Sequence, residues 1–383
     1  MTLLSSGVGS FTGIHPFLLV IAAAGLDRLV GDPRWCLHPV VVMGWWISRL
    51  RGLAEGWAGD EPWRLRLAGG VITLLLVGGS GGAGWLLEQA AQQLSWGREL
   101  PLFGLALLLV ALASALAGRS LEQAVRTVLR ALPAGTNPST TPRKAPTPVR
   151  DSVQIAQNPE AFATPGTDLA PARQALSWIV GRSTDELSAA EILRAAAETA
   201  SENAVDGLFA PLFWMLVGAA LWGSGHPHGP GPLSLAWAFK AASTLDSMLG
   251  YRRGRLTWLG TAGARLDDVL VWLPCRLVAL SLPLAAGRGA ARCLPLLQAA
   301  LVDGAPDPSP NAGVSQAAYA HAAGVQLGGM NRYGDELKAK PLLAAGQPNA
   351  SPAAVNRILQ LSLRLEGIWL LAGLLLGVGL QVQ

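Results

Sequence analysis

The segment Ser188-Ala-Ala-Glu191 has the form of a capping box, a hydroxyl side chain followed three positions later by Glu, so a helix starts here. Counted from that start, Glu198, Glu202 and Asp206 recur at i, i+4 and i+8 and share one stripe, with Asn203 at its edge. Like charges one turn apart repel, by roughly a few tenths of a kcal/mol per pair, so a helix kept only for its shape gains nothing from them. Hard carboxylate oxygens suit Mg²⁺, which is held by one or two acids and completes its shell with water and substrate phosphates. The stripe runs into an apolar stretch at Leu208, which would put such a site at the edge of a membrane span. The alternative is a solvated helix face.

A second group follows. Lys240 precedes TLDSMLGYRRGR, with Asp246, Arg252 and Arg253, and then ARLDDVL, with Arg265, Asp267 and Asp268. Unpaired carboxylates beside an apolar span are costly and are usually functional or ion-paired, whereas Arg and Lys in the same place also serve as interface anchors. A third group is DPSPNAGVSQAAYAHAAGVQLGG, where Ser309 reads as an N-cap with Pro310 at the first helical position. The free N–H groups of such a start attract anions near Asn311 and Gly313, although helix starts of this kind are common.

Other residues carry less. Asp27 and Arg28 close the first apolar stretch and suit either pairing with other helices or a solute path through the membrane. His38 reads as a structural histidine or a ligand, and His226 and His228, flanked by Gly and Pro, as a loop rather than a metal pair. The glycines from Gly78 to Gly84 lack the Gly-Lys-Ser/Thr of a phosphate loop. Gly78 with Gly82, and Gly373 with Gly377, instead form GxxxG pairs suited to close helix packing in lipid.

The elements that must position these residues follow from composition. Hydrophobic side chains make up 51% of the 383 residues and charged ones only 14%. That is well below the roughly 25% charge of soluble domains, and mean hydropathy is +0.36. A net charge of +4, scattered between apolar blocks, gives no stripe for nucleic acid. Cys36, Cys275 and Cys293 have neither disulfide-framework nor zinc-ligand spacing. The first thirteen residues contain no Lys or Arg, so the apolar run that follows is expected in the mature chain rather than in a cleaved signal.

A spanning helix needs about 20 mostly apolar residues. The stretches Pro16 to Val30, Leu67 to Leu87, Pro101 to Ala117, Leu208 to Trp222 and Ile368 to Val382 approach this, with Val269 to Ala286 as a further one. The fold class expected is all-α, a multi-pass membrane bundle with cytoplasmic helical loops. Arg34 to Arg66 form a basic loop after the first stretch, which places that loop in the cytoplasm and the N-terminus outside. Basic flanks on both sides of Val269 to Ala286 make parity awkward. Either that segment or Leu233 to Leu249 is therefore expected to be re-entrant or to lie along the surface. Thr136 to Pro171, rich in Pro, Ser and Thr, reads as a disordered cytoplasmic insertion in an otherwise single domain, and nothing reads as a sheet.

Taken together and in order, LDRLVGDPRWCLHPV, ARQALSWIVGRSTDELSAAEILRAAAETASENAVDGLFAPLFW, FKAASTLDSMLGY, ARLDDVLVWLPCRL, SPNAGVSQAAYAHAAGVQLGG and NRYG with Lys340-Pro341 resemble the adenosylcobinamide-phosphate synthase family of cobalamin biosynthesis (CobD/CbiB). The resemblance covers most of the chain outside the Pro-rich insertion and the apolar spans. It departs from the family pattern at Ser243 and Val271, where Asn is usual, and at Gln316, where Glu is common. It implies a multi-pass protein of the cytoplasmic membrane that joins adenosylcobyric acid to aminopropanol or its O-phosphate, with ATP as cosubstrate and Mg²⁺ as cofactor. A homo-oligomer is admitted. Residue chemistry then suggests Glu198, Glu202, Asp206 and Asp246 for Mg²⁺, and Lys240, Arg252, Arg265, Asn203 and Asn311 for substrate. Asp267 and Asp268 are suggested to orient or deprotonate the amine. A transporter, or another Mg²⁺-dependent membrane transferase, is the competing class, although no DxxxD or NDxxD pair is present.

Overall fold

The computed structural model describes residues 16–31, 38–96, 101–133, 168–333 and 336–381. Its helices in chain order are α1 Pro16–Val30, α2 Pro39–Ala58, α3 Pro62–Trp96, α4 Pro101–Ala113, α5 Gly118–Ala131, α6 Ala170–Ser177 and α7 Ala189–Ala204. Five residues of π-type turn, Val205–Phe209, join α7 to α8, Ala210–Gly223. Then follow α9 Pro232–Leu249, α10 Leu256–Leu259, α11 Thr261–Ala285, α12 Cys293–Gly304, α13 Ala312–Ala323, the strands β1 Leu327–Tyr333 and β2 Glu336–Leu343, and α14 Pro352–Gln381.

The protein is an all-α multi-pass membrane bundle. Among the described residues four helical stretches are long and apolar enough to cross a membrane, namely Pro62–Gln93, Ala189–Gly223, Thr261–Ala285 and Pro352–Leu380. A fifth crossing arises if α4 and α5, bent by 43°, count as one. Long helices are what lipid demands, because no water is present to satisfy a backbone N–H or C=O. The first expected span forms a helix at its expected bounds, but its 15 described residues fall short of a crossing. Leu208 to Trp222 is the second half of a longer element that already contains the acidic stripe. Of the two segments, one of which was expected to be re-entrant or superficial, α11 has the length and apolarity of a crossing, and α9 is not among the stretches that do.

Helix interruptions are compensated in pairs. Pro211 has no N–H to give to the Gly207 carbonyl, which instead accepts from the Ala117 N–H at 2.8 Å and so ties the α4–α5 bend to the π-type turn. Pro274, inside α11, likewise frees the Leu270 carbonyl, and the Trp214 indole donates to it at 3.3 Å. Close packing rests on other glycines than expected: Gly78 and Gly82 meet nothing, whereas a Cβ at Gly84 would lie 2.9 Å from the Ser234 Cα. Gly373 does pack, against Leu216.

One further expectation changes. Residues 327–343 contain an antiparallel hairpin where no sheet was expected, with a register break between Leu327 and Gly329. An isolated pair of strands is marginal and this one is interrupted by glycine, so the pairing depends on helix partners described below. Gly328, at φ +80°, must be glycine, since a Cβ would fall 1.9 Å from the Pro341 carbonyl oxygen. The expected insertion, 136–171, lies outside the described residues up to 167, and its last two residues already belong to α6.

Candidate functional site

The π-type turn carries Asp206 and faces α9 and α11, because the bend replaces the straight continuation of α7 with a wider turn. Between α5, the turn and α9 lies a cleft of about 340 Å³ lined by Ser120, Asn203, Asp206, Gly207, Lys240, Ser243 and Ser247. Asp206 is within electrostatic reach of Asp267, Glu202, Asp246 and Lys240, and Asp267 is within reach of Asp246, Asp268 and Lys240. Carboxylates from three separate segments thus act on one another, and Lys240 acts on two of them, Asp206 and Asp267. Burial pushes the Asp246 carboxyl above its ordinary range, and the neighbouring Asp268 charge acts in the same direction. Asp267 Oδ1 is buried and has no hydrogen-bond partner.

The three acids of the stripe have different surroundings. Its capping box forms as expected, with Ser188 and Glu191 bonded reciprocally. Glu198, at the far end from the cleft, is buried and accepts from Arg182 at 3.1 Å and from the Gly328 N–H at 3.0 Å, with Arg194 at 3.8 Å. It therefore holds the hairpin to α7, aided by Arg194, which donates to the Met330 carbonyl at 2.6 Å. Glu202 sits between the two ends and accepts from Gln316 at 2.7 Å. Asp307 and Lys340, an ion pair at 3.4 Å, also act on Glu202. Lys340 was noted in the sequence without a role, and Asp307 was not singled out.

The remaining expected residues divide. Arg252 is exposed and is the cation acting on Asp268, whereas Arg265 stands exposed about one turn before Asp268. Asn311 is buried. Its side chain donates to the Asp268 carbonyl at 2.8 Å and accepts from Arg276 at 2.6 Å, so it fixes the start of α13 against α11. The helix cap is Asn311, two residues after the expected Ser309, yet the Ser309 hydroxyl still accepts from the Asn311 and Ala312 N–H groups.

Asp27 and Arg28 serve packing. Arg28 bridges Glu366 at 2.5 Å and Glu122 at 3.3 Å, and Asp27 accepts from the Arg119 N–H. His38 caps α2, and His226 and His228 lie in a loop. Glu88, not singled out in the sequence, is buried on α3 and accepts from the Gly231, Leu233 and Ser234 N–H groups at 3.0, 2.6 and 3.3 Å. It satisfies the orphan donors of α9 from a neighbouring helix, which fixes the register of the helix bearing Lys240 and Asp246. Its only sequence signal was an acid one residue beyond an apolar run.

Comparison with known proteins shows what the chain is similar to. The sequence profile of the family described as CobD/Cbib protein matches residues 20–148 and 152–362. The cobalamin biosynthesis protein CobD of Synechocystis sp. is 38% identical over 352 residues, 91% of this chain and 87% of that protein. The cobalamin biosynthesis protein CbiB of Salmonella typhimurium is 35% identical over 337 residues, 88% of this chain and 89% of that protein. CobD of Geobacter metallireducens is 37% identical over 331 residues, 85% of each chain. No solved structure matches the chain.

Proposed function

The chain belongs to the CobD/Cbib family, with a role in cobalamin biosynthesis, and we propose that its activity is ATP-dependent amide synthesis joining adenosylcobyric acid to aminopropanol or aminopropanol O-phosphate. The supporting observation is the mutual reach of Asp206, Asp246 and Asp267, with Lys240 acting on Asp206 and Asp267, beside a cleft. Such a site has charge to place and no activated nucleophile, which suits phosphoryl transfer, where catalysis is mostly positioning and charge stabilisation.

A carboxylate must be activated before an amine displaces its oxygen. The propionate oxygen of the corrinoid attacks the γ-phosphorus of ATP, and ADP leaves. The amine nitrogen then attacks the acyl carbon, the C–O bond breaks with release of inorganic phosphate, and the extra proton on nitrogen passes to the Asp268 carboxylate. Lys240 holds phosphate oxygens, and Arg252 a corrin carboxylate or phosphate.

Mg²⁺ fits this site as an ion arriving with the nucleotide. Among the described residues no three His, Cys, Asp or Glu side chains form a metal cage by themselves. Mg²⁺ needs only one or two carboxylates beside water and phosphates, and the partnerless Asp267 Oδ1 beside two further acids is such a donor. Asp267, with one of Asp206 or Asp246, would hold it, and it would offset the developing phosphate charge.

The reading is tested by incubating purified protein in detergent with adenosylcobyric acid, Mg-ATP and either aminopropanol or its phosphate, followed by mass spectrometry. Formation of the amide with stoichiometric ADP supports it. Intact corrinoid in both mixtures, with folded protein, would refute it.

A further inference from the structure

A belt of arginines resting on aromatic rings surrounds one end of the span Pro62–Gln93, and we propose that it is a binding surface for the phosphate groups of anionic phospholipids. The Arg64 guanidinium lies 5.4 Å from the Trp63 ring centre and 5.9 Å from that of Trp57. Arg66 lies 4.4 Å over Trp258, and Arg253 lies 5.0 Å over Tyr251. These residues come from the end of α2 and the start of α3 and from the loop and short helix before α11, and the two segments are joined. Arg255 donates to Asp60 at 2.7 Å, and Gly69 is pressed against the Leu259 carbonyl.

The order of residues along α3 locates the belt. Asp60 and Glu61 come first and are exposed, then Trp63, Arg64 and Arg66, and then the exposed apolar side chains Leu67, Val71, Leu74 and Leu75. Acid, then aromatic with arginine, then hydrocarbon is the sequence of chemistries met on passing from water through the headgroup layer into the bilayer. Among the described residues the carboxylate paired here is Asp60, with Arg255, whereas Arg64, Arg66 and Arg253 rest on rings. Stacking occupies a guanidinium's face and leaves its edge N–H groups directed outward, in the fork that grips two phosphate oxygens at once. A zwitterionic headgroup presents a phosphate neutralised by its own amine, so the surface favours net-negative lipids. Arg252, between Tyr251 and Arg253, acts on Asp268, so the belt lies beside the mouth of the acidic site.

The test is native mass spectrometry of the detergent-purified full chain titrated with phosphatidylglycerol or phosphatidylcholine. Wild type is expected to retain phosphatidylglycerol at least about fivefold better, and Arg64→Gln/Arg66→Gln/Arg253→Gln to abolish the difference. Arg292→Gln, away from the belt, should leave it intact. Equal retention of both lipids by wild type, or an unchanged preference in the triple variant, overturns the proposal. So does complete displacement of phosphatidylglycerol by inorganic phosphate, which would mark a site for free anions. Should the triple variant fail to insert, Arg66→Gln alone decides, a halved preference supporting the belt and an unaltered one refuting it.

Discussion

At the scale of single residues, the acids of α7 have two occupations. Asp206 lies where carboxylates from other helices meet, and its charge is what the proposed chemistry uses. Asp206→Asn and Asp267→Asn should each lower turnover at least about tenfold, some 1.4 kcal/mol of transition-state stabilisation, and raise the Mg²⁺ concentration for half-maximal rate. Glu191→Gln is the control, since it disturbs only the helix cap. Wild-type turnover and an unchanged Mg²⁺ midpoint in both Asp variants would remove these acids from the mechanism. Glu198 behaves differently because it is buried with Arg182 and the hairpin backbone. Removing one partner of a buried pair leaves the other uncompensated, at about 3–5 kcal/mol, so Glu198→Ala should lower the detergent melting temperature by several degrees and open the hairpin to protease. Glu198→Leu with Arg182→Met should recover much of that stability; a double variant no better than the single would show that the pair is not the cause.

At the scale of elements, the contact between α3 and α9 decides where Lys240 and Asp246 stand. Gly84 lets the helix backbones touch, and Glu88 caps α9 from across that contact. Gly84→Val should therefore push α9 away and reduce both folded yield and activity, whereas Gly82→Val, facing open space, should be tolerated. Size-exclusion profiles and thermal melts of the two variants check this, and equal behaviour would mean that the helices do not depend on close approach. The GxxxG spacing was visible in the sequence, but the face that packs was not, because a glycine-rich helix offers several such faces and only the partner selects one.

At the scale of the whole molecule, the α2–α3 turn and the loop around His228 lie at opposite ends of α3. Asp60 pairs with Arg255 at one end, while Trp85 and Gln92 donate to the His228 and Pro227 carbonyls at the other. The positive-inside rule predicts the basic end in the cytoplasm, so a cysteine at Gly59 should resist an impermeant thiol reagent in intact cells and one at His226 should react, in a background without the native cysteines. Reversed labelling would invert the orientation. Deleting residues 138–166 should leave activity within about a few-fold, because loop closure depends only weakly on length.

By itself, the sequence determined that this is a helical membrane protein and which blocks carry its polar chemistry. Hydropathy and capping act through near neighbours, and lipid leaves a long apolar segment no state other than a helix. The family was legible for the same reason, in ordered local blocks. The tertiary structure alone decided which acids meet. Asp206 and Asp267 come together only because a π-type turn, relieved by Pro211 and anchored at Ala117, redirects the α7 stripe toward α11. Glu198, also a carboxylate and regular in spacing, is withdrawn by Arg182 and by a hairpin whose glycines and lack of apolar alternation hide its strands. Periodicity fixes the face of a residue on its own helix, whereas the partner across that face depends on long-range packing.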